Sequence, residues 1–312
     1  MNAVARAAKA VAGGIGVVWG AATLAFFALH LVPGDTADIL MGTQALTSPQ
    51  VHRRITAELG LDEPLWSQYL RFLGHLMHGD LGRSYQLRQP VWTLLGQNAW
   101  PTVSLGLAAL VLALVVGTAS AIATAGRRPA WRAAASAWEL TAVSTPSFWL
   151  GILLLTVFSF RLHWFPVAGR NGITALVLPA GTLGLPLAGT IAQVVRESLE
   201  TTLHQPFMTT ARARGLGGMA LRLRHALRHG ASSLLTLTGL LFGSIVGGAV
   251  LVENVFGRPG LGSLTVSAVT NKDMPVVTGL VLVSATAFVL VSGVVALLQP
   301  RVDPRLRQRV SA

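Results

Sequence analysis

Long apolar runs separated by short arginine- or glycine-rich segments set the pattern of this chain: Val11 to Val32, Pro101 to Ala125, Ala134 to Phe160, Ile173 to Val195, Gly230 to Val252 and Val276 to Leu298. At 1.5 Å per helical residue each reaches across a hydrocarbon core of about 30 Å, so the pattern predicts six transmembrane helices. Val11–Val32 follows Arg6 and Lys9. It is longer than the roughly 7–15 apolar residues of a secretory signal, and Leu29-His30-Leu31-Val32-Pro33 makes a poor cleavage site. The expectation is an uncleaved first span with residues 1–32 as cytoplasmic N-terminus and first helix.

Residues 33–100 read differently. Asp35, Asp38, Glu58, Asp62, Glu63 and Asp80 are interleaved with Arg53, Arg54, Arg71, Arg83 and Arg88, as expected of a folded extracytoplasmic insertion between the first two spans. Ser48-Pro49 can open a helix with Val51, Ile55 and Leu59 on one face and Gly60 at its end. Leu65–Leu73 is a second amphipathic piece.

Composition agrees with a membrane protein. The 312 residues are 52% hydrophobic and 12% charged, where a soluble domain would carry about a quarter charged residues. The net charge of +12 does not indicate a nucleic-acid partner, because the arginines lie in loops between apolar spans and no basic groove with interleaved aromatics is visible. The loop with Arg127, Arg128 and Arg132, the arginines from 196 to 228 and the tail with Arg301, Arg305, Arg307 and Arg309 fall on one side of a six-span path. The positive-inside rule makes that side cytoplasmic and puts both termini there. The expected divisions are a membrane core over 101–300, with a cytoplasmic loop over 201–229, and a cytoplasmic tail over 301–312.

Little in the chain suggests enzymatic chemistry. It has no cysteine, which excludes disulfides, thiolate metal ligands and cysteine nucleophiles. Neither a P-loop, H-E-x-x-H nor G-x-S-x-G occurs. His225 and His229 stand four apart on a basic helix, where solvated histidines are commoner than a metal pair, and no metal site is expected. Glu139, Glu197 and Glu253 lie near span ends rather than at the midplane where an ion-coupled carrier needs them. The nearest basic residue to Glu139 on its cytoplasmic side is Arg132, while Glu197 and Glu200 flank Arg196 and are expected to pair there.

Breakers concentrate in the third and fourth spans: Pro146 within Thr145-Pro146-Ser147-Phe148-Trp149, then Pro179, Gly181, Gly184, Pro186 and Gly189. A proline inside a span frees a carbonyl that a neighbouring helix or a water-filled cavity must satisfy. Pro146, Ser147, Phe148, Pro179 and Pro186 are therefore candidates for lining a pathway, against kinked packing as the plainer account. Gly243 and Gly247 form a G-x-x-x-G that suits a close helix contact, within this chain or with another.

Between the fourth and fifth spans, Pro206 can open a short helix and Gly215 can close it in the left-handed conformation, with Arg212 and Arg214 in its last turn. Beyond Gly217-Gly218, the residues Leu216, Met219 or Ala220, Leu223 and Leu227 recur at helical spacing, with Arg222, Arg224 and Arg228 on other faces. Such a basic, amphipathic helix-turn-helix suits either a lipid surface or a docking element.

The loop resembles the cytoplasmic loop of bacterial ABC importer permeases, of the form E-A-A, three residues, Gly, nine residues, I-x-L-P. Here the frame reads Thr209-Thr210-Ala211, Gly215, then His225-Ala226-Leu227-Arg228. The alanine and glycine fit. The absent glutamate and I-x-L-P instead resemble the dipeptide, oligopeptide and nickel branch, with its T-A-R-A-K-G-L and H-A-L-R strings. Leu59–Leu65, Gly79-Asp80-Leu81-Gly82-Arg83-Ser84 and Asp303-Pro304-Arg305 resemble the same branch. Glu253-Asn254-Val255-Phe256-Gly257-Arg258-Pro259-Gly260-Leu261-Gly262 resembles its E-x-V-F-x-x-P-G-L-G segment, so that Glu253, Phe256, Pro259, Gly260 and Gly262 form a family motif. The likeness runs from Leu31 to the tail.

That resemblance implies an all-α type I importer permease fold in the bacterial inner membrane and a peptide-import function. The implied partners are a second homologous permease chain, two ATPase subunits, an extracytoplasmic substrate-binding protein and membrane lipid. ATP and Mg would be bound by the ATPase partners, with no cofactor on this chain. Phe207, Thr210, Ala211, Arg212, Ala213, Arg214, Gly215 and Leu216 would couple the chain to the ATPase: Phe207 and Leu216 as apolar contacts, Ala211 and Ala213 as small residues allowing close approach, and Arg212 and Arg214 as electrostatic partners. Import of nickel or another small solute is the alternative within the family. A self-sufficient ion-coupled transporter depending on Glu139 is the alternative outside it.

Overall fold

The computed structural model describes residues 3–31, 63–169 and 172–302. Its helices are α1 (Ala3–His30), α2 (Leu65–Met77), α3 (Val91–Thr124), α4 (Pro129–Ser144), α5 (Ser147–Leu154, continued by a π-helical stretch Leu155–Arg161), α6 (Thr174–Leu203) and α7 (Pro206–Ala213). They continue with α8 (Leu227–Val255), entered through Gly218–Ala220 and a π-helical stretch Leu221–Ala226, then α9 (Leu261–Thr270) and α10 (Met274–Val302). Among the described residues the one β pairing is an isolated bridge between Arg83 and Pro90. The helix expected over Ser48–Gly60 and the Asp303-Pro304-Arg305 segment lie outside the described residues.

Five helices, α1, α3, α6, α8 and α10, are long and apolar enough to cross a membrane, and α4 with α5 passes the same test as a pair. That pair corrects the expected third span, Ala134–Phe160, which is not one continuous helix but bends by 100° at its break. The cause is local. Thr145 precedes a proline, which disfavours the helical region for it, and here both Thr145 (ψ 121°) and Pro146 (ψ 130°) are extended. The second span also differs from expectation: α3 starts at Val91 and carries Pro101 inside it.

Contacts divide the chain into two units: Trp100–Ser263 with Met1–Ala5 and Leu290–Ala312, and Arg6–Ala99 with Leu264–Val289. In the first unit α6 is the central helix, with 67% of its most apolar stretch buried by the rest of the chain. Small residues let its neighbours approach, as membrane helices need where no hydrophobic effect drives them together. A Cβ on Gly184 would stand 2.8 Å from the Ala109 carbonyl of α3, and one on Gly117 of α3 2.7 Å from the Ala188 carbonyl of α6. Gly189 brings α6 equally close to α4, at 3.0 Å from the Glu139 carbonyl. By contrast, a Cβ on Gly243 or Gly247 of α8 would meet nothing within 4 Å among the described residues, and the contacts α8 makes through glycine use Gly239 against Val295 and Gly248 against Leu183.

In the second unit α2 packs on α1 through Phe26, Phe27, Tyr69 and Phe72, whose ring centroids lie 5.3 to 6.5 Å apart. The Thr23 and Tyr69 hydroxyls share a hydrogen bond of 2.7 Å. Pro64 begins α2, and Glu63 accepts from Ser67 at 2.6 Å and pairs with Arg71.

Candidate functional site

The short helix between the fourth and fifth spans forms as expected. Pro206 occupies its first turn, and Gly215 closes it at φ +84°, its N–H bonded to the Arg212 carbonyl at 2.9 Å. One residue anchors it: Met208 is fully buried and belongs to the apolar core of the first unit. Around that anchor Phe207, Thr210, Arg212, Ala213, Arg214 and Gly215 are exposed, Phe207 by 43%. Ala211 and Leu216 are half-buried against the chain's own core, so Leu216 faces inward more than Phe207 does. Arg212 turns back through Nη2 to the Leu203 carbonyl at 3.3 Å, placing a cation on the C-terminal end of α6.

The turn that follows departs from the expected phase. Met219 and Leu223, expected on the apolar face, are about half exposed, while Leu221, Arg222 and Ala226 are buried. Leu221–Ala226 is π-helical, and the wider turn carries residues five apart, Leu221 and Ala226, to one side. Arg222 donates to the Ile122 carbonyl near the end of α3 at 3.3 Å. Burial, and to a smaller degree Arg127, hold its guanidinium below the usual arginine range. The side chains of His225 and His229 lie outside the description.

Roughly 43 Å of helix farther on, at the other end of α8, Glu253–Gly262 makes a closed joint. The Glu253 carboxylate is fully buried. It accepts from the Thr102 hydroxyl at 2.6 Å and the Ser263 N–H at 3.0 Å, the first turn of α9, where a negative charge suits the helix dipole. Thr102 in turn accepts the Leu261 N–H at 2.7 Å. A Cβ on Gly260 would collide with the Glu253 carboxylate, and one on Gly262 would come within 2.5 Å of the Val250 backbone. Phe256 is buried against Gly151 of α5. Arg258 is buried too and donates to Ser104 at 3.2 Å. Burial pushes its guanidinium down and Glu253 opposes that shift.

The second unit holds a comparable joint that the sequence reading missed. Buried Asp273, in the turn between α9 and α10, accepts from the Ser84 hydroxyl at 2.5 Å and the Tyr85 and Gln86 N–H groups at 3.1 and 3.3 Å. Ser84, the last residue of the Gly79–Ser84 motif, thus has a structural role. Burial, then Asp273, push the Tyr85 hydroxyl above its ordinary range. The partners of Asp273 lie almost two hundred residues away in the chain, beyond the reach of any local sequence signal.

The pathway candidates divide between the two breaker-rich spans. Pro146 and Phe148, with Leu140, Thr141, Ser144, Thr145 and Trp149, line an open groove of about 630 Å³ at the 100° break. Pro179 is buried within α6 and Pro186 half-buried. The acidic residues pair differently from expectation: Arg196 bonds to Glu139 at 2.7 Å, and Arg132 stands 3.3 Å from Glu200. Residues on α4 and α6 have exchanged the partners that proximity in sequence suggests, because the two helices lie side by side.

Comparison with known proteins places this geometry in context. Residues 113–308 match the family described as binding-protein-dependent transport system inner membrane component, and residues 8–106 match its N-terminal companion. A Brucella abortus (strain 2308) protein named as a peptide transport system permease is 37% identical over 308 residues, 96% of this chain and 98% of that protein. The glutathione transport system permease protein GsiC of Salmonella typhimurium is 36% identical over 289 residues, 92% of this chain and 94% of that one. The crystal structure of an amino acid ABC transporter with histidines matches at a TM-score of 0.52 and 16% identity, covering 67% of this chain and 94% of the other, a likeness of fold. With its helical spans, its breaker-bent third crossing and these matches, the chain is a multi-pass membrane protein that belongs to the family of inner membrane permease components of binding-protein-dependent ABC transport systems.

Proposed function

We propose that this chain is one of two homologous permease subunits of an importer that takes up peptides handed over by an extracytoplasmic substrate-binding protein, driven by two ATPase subunits that bind ATP and Mg. The observation that carries the reading is α7: an eight-residue helix anchored by one buried methionine, with Phe207 and Arg214 exposed between two membrane spans. Phe207, Thr210, Ala211, Arg212, Ala213, Arg214, Gly215 and Leu216 form the coupling element. Of these, Phe207, Thr210, Ala213 and Arg214 are the side chains best disposed to meet the ATPase, while Leu216 and Ala211 seat the element on its own chain. α7, the arginine-rich loops and both termini face the cytoplasm, and the Glu253 and Asp273 joints face outward. The names of the relatives, which concern peptides and glutathione, support a peptide cargo.

Pro146, Ser147 and Phe148 border the pathway at the break in the third span, and Pro179 and Pro186 set the course of α6 beside it. Gly243 and Gly247, on which a Cβ would meet nothing within 4 Å among the described residues, are open to the second permease or to lipid.

The test is to extract the tagged chain from its native membrane in mild detergent and identify what accompanies it. A P-loop ATPase that co-purifies with the natural chain, and is lost when Phe207→Ala and Arg214→Glu are combined, is the expected result. An ATPase retained by that variant would refute α7 as the docking element. A chain that transports alone in liposomes would refute the importer.

A further inference from the structure

One buried ion pair lies between the proposed coupling element and the break in the third span. Arg196 of α6 reaches three successive groups of α4: its Nη2 donates to Glu139 Oε2 at 2.7 Å and Ser136 Oγ at 3.0 Å, and its Nη1 to the Arg132 carbonyl at 3.3 Å. The Glu139 side chain is fully buried and that of Arg196 is 14% exposed. One turn farther along α6, Glu200 stands 3.3 Å from Arg132 Nε, so the two helices are tied twice with charges crossed. On the other side of Glu139, Gly189 lets α6 touch the Glu139 carbonyl, Ala142 and Val143.

These ties occupy the segment between two mechanical elements. Toward one end, α6 stops at Leu203, two residues before α7, and Arg212 of α7 bonds back to the Leu203 carbonyl. Toward the other, α4 ends at Ser144 and the 100° bend follows at Thr145 and Pro146. We propose that the Arg196–Glu139 pair, with Ser136, is a positioning device for transport: it makes α4 follow α6, so that a displacement of α7 reaches the break and the groove lined by Pro146 and Phe148. The proposal rests on the reading of α7 as the docking element.

The chemistry suits such a device better than apolar packing would. Two apolar helices can slide past one another at small cost. A guanidinium holding a carboxylate, a hydroxyl and a carbonyl, at the edge of an open pocket that Arg132, Ser136, Arg196 and Glu200 line, restricts both rotation and register. Glu139 Oε1 accepts no hydrogen bond among the described residues, so the carboxylate depends on Arg196. This arrangement also gives Glu139 a role without ion coupling.

Because the chain has no cysteine, Phe148→Cys provides a unique label at the break. The complete importer, purified with its ATPases into nanodiscs, is treated with a water-soluble maleimide with and without ATP and vanadate, and labelling of this chain is read on a gel. In the Phe148→Cys background the rate should change by about fivefold or more between the two states, the lower range of allosteric coupling. Adding Glu139→Gln should abolish that change while the ATPase still co-purifies, and exchanging the charges, Glu139→Arg with Arg196→Glu, should restore part of it. Ser136→Ala, which leaves no buried charge unpaired, serves if Glu139→Gln fails to assemble, and should reduce the change by about half. An unaltered nucleotide response in an assembled Glu139→Gln or Ser136→Ala complex would overturn the proposal, as would no response in the Phe148→Cys background itself. Failure of the docking reading shows separately, as an ATPase retained by the Phe207→Ala, Arg214→Glu variant.

Discussion

Glu253–Gly262 and Pro206–Gly215 lie at opposite ends of α8, and their side chains face in opposite directions. At the first, the carboxylate of Glu253, the hydroxyl of Thr102 and the N–H groups of Leu261 and Ser263 satisfy one another inside the protein, and Gly260 and Gly262 leave no room for a methyl group. At the second, one buried methionine fixes a helix whose other side chains are largely displayed. Both segments carry family motifs, and as strings of letters they look equally functional. The structure separates a motif closed on the molecule's own groups from one whose side chains are exposed. Burial and hydrogen-bond closure make the distinction, and neither is written in the motif.

The largest expected effect lies in the closed joint. Gly262→Val puts a branched side chain against the Val250 backbone and the Glu253 carboxylate, and should destabilise the chain by about 3 kcal/mol or more, since backbone cannot yield as a flexible side chain can. Thermal unfolding of the purified protein in nanodiscs reads it. A variant as stable as the natural chain would mean that the segment is not closed. Thr102→Val comes next. It keeps the shape but removes the donor to the buried Glu253 carboxylate and the acceptor for the Leu261 N–H, at about 2 kcal/mol. The same measurement checks it, and Thr102→Ser, which retains the hydroxyl, should recover most of the loss.

Much of this architecture was legible in the sequence because membrane spans announce themselves by length and composition. The short helix from Pro206 to its left-handed glycine was legible too, because its start and stop signals are local. What failed to show depends on helices distant in sequence lying side by side. Arg196 prefers Glu139 over the adjacent Glu197 and Glu200 because α4 packs along α6. The Asp273 carboxylate serves Ser84, nearly two hundred residues away. The phase error after Gly218 has another source. A period of 3.6 was assumed where the backbone takes a π-helical turn, and no residue in Leu221–Ala226 signals that choice.

The displayed helix predicts a different profile, with stability held and association lost. Phe207→Ala with Arg214→Glu removes two exposed side chains, so unfolding should change by no more than about 0.5 kcal/mol. ATPase retention should fall about tenfold, equivalent to about 1.4 kcal/mol of binding free energy. A loss of stability comparable to that of Thr102→Val would show that α7 belongs with the closed joint, and the contrast between the two ends of α8 would fail.

Gly215 is the smallest and sharpest case, because it closes the displayed helix without itself touching another element. A Cβ there would touch nothing within 4 Å among the described residues, yet the residue sits at φ +84°. The cost of a side chain is thus one of backbone conformation alone, about 1 kcal/mol for most residues and less for asparagine, which tolerates the left-handed region. Gly215→Leu should therefore leave the complex assembled but loosen the end of α7, so that ATP is hydrolysed with less uptake. Gly215→Asn should sit between it and the natural chain. Uptake per ATP, measured in proteoliposomes with the binding protein present, ranks the three. If asparagine and leucine are equally harmful, the glycine is needed for the closeness of a partner rather than for its own conformation, and the ATPase must approach Gly215 directly. If neither has an effect, the end of α7 transmits nothing, and Phe207 and Arg214 serve attachment alone.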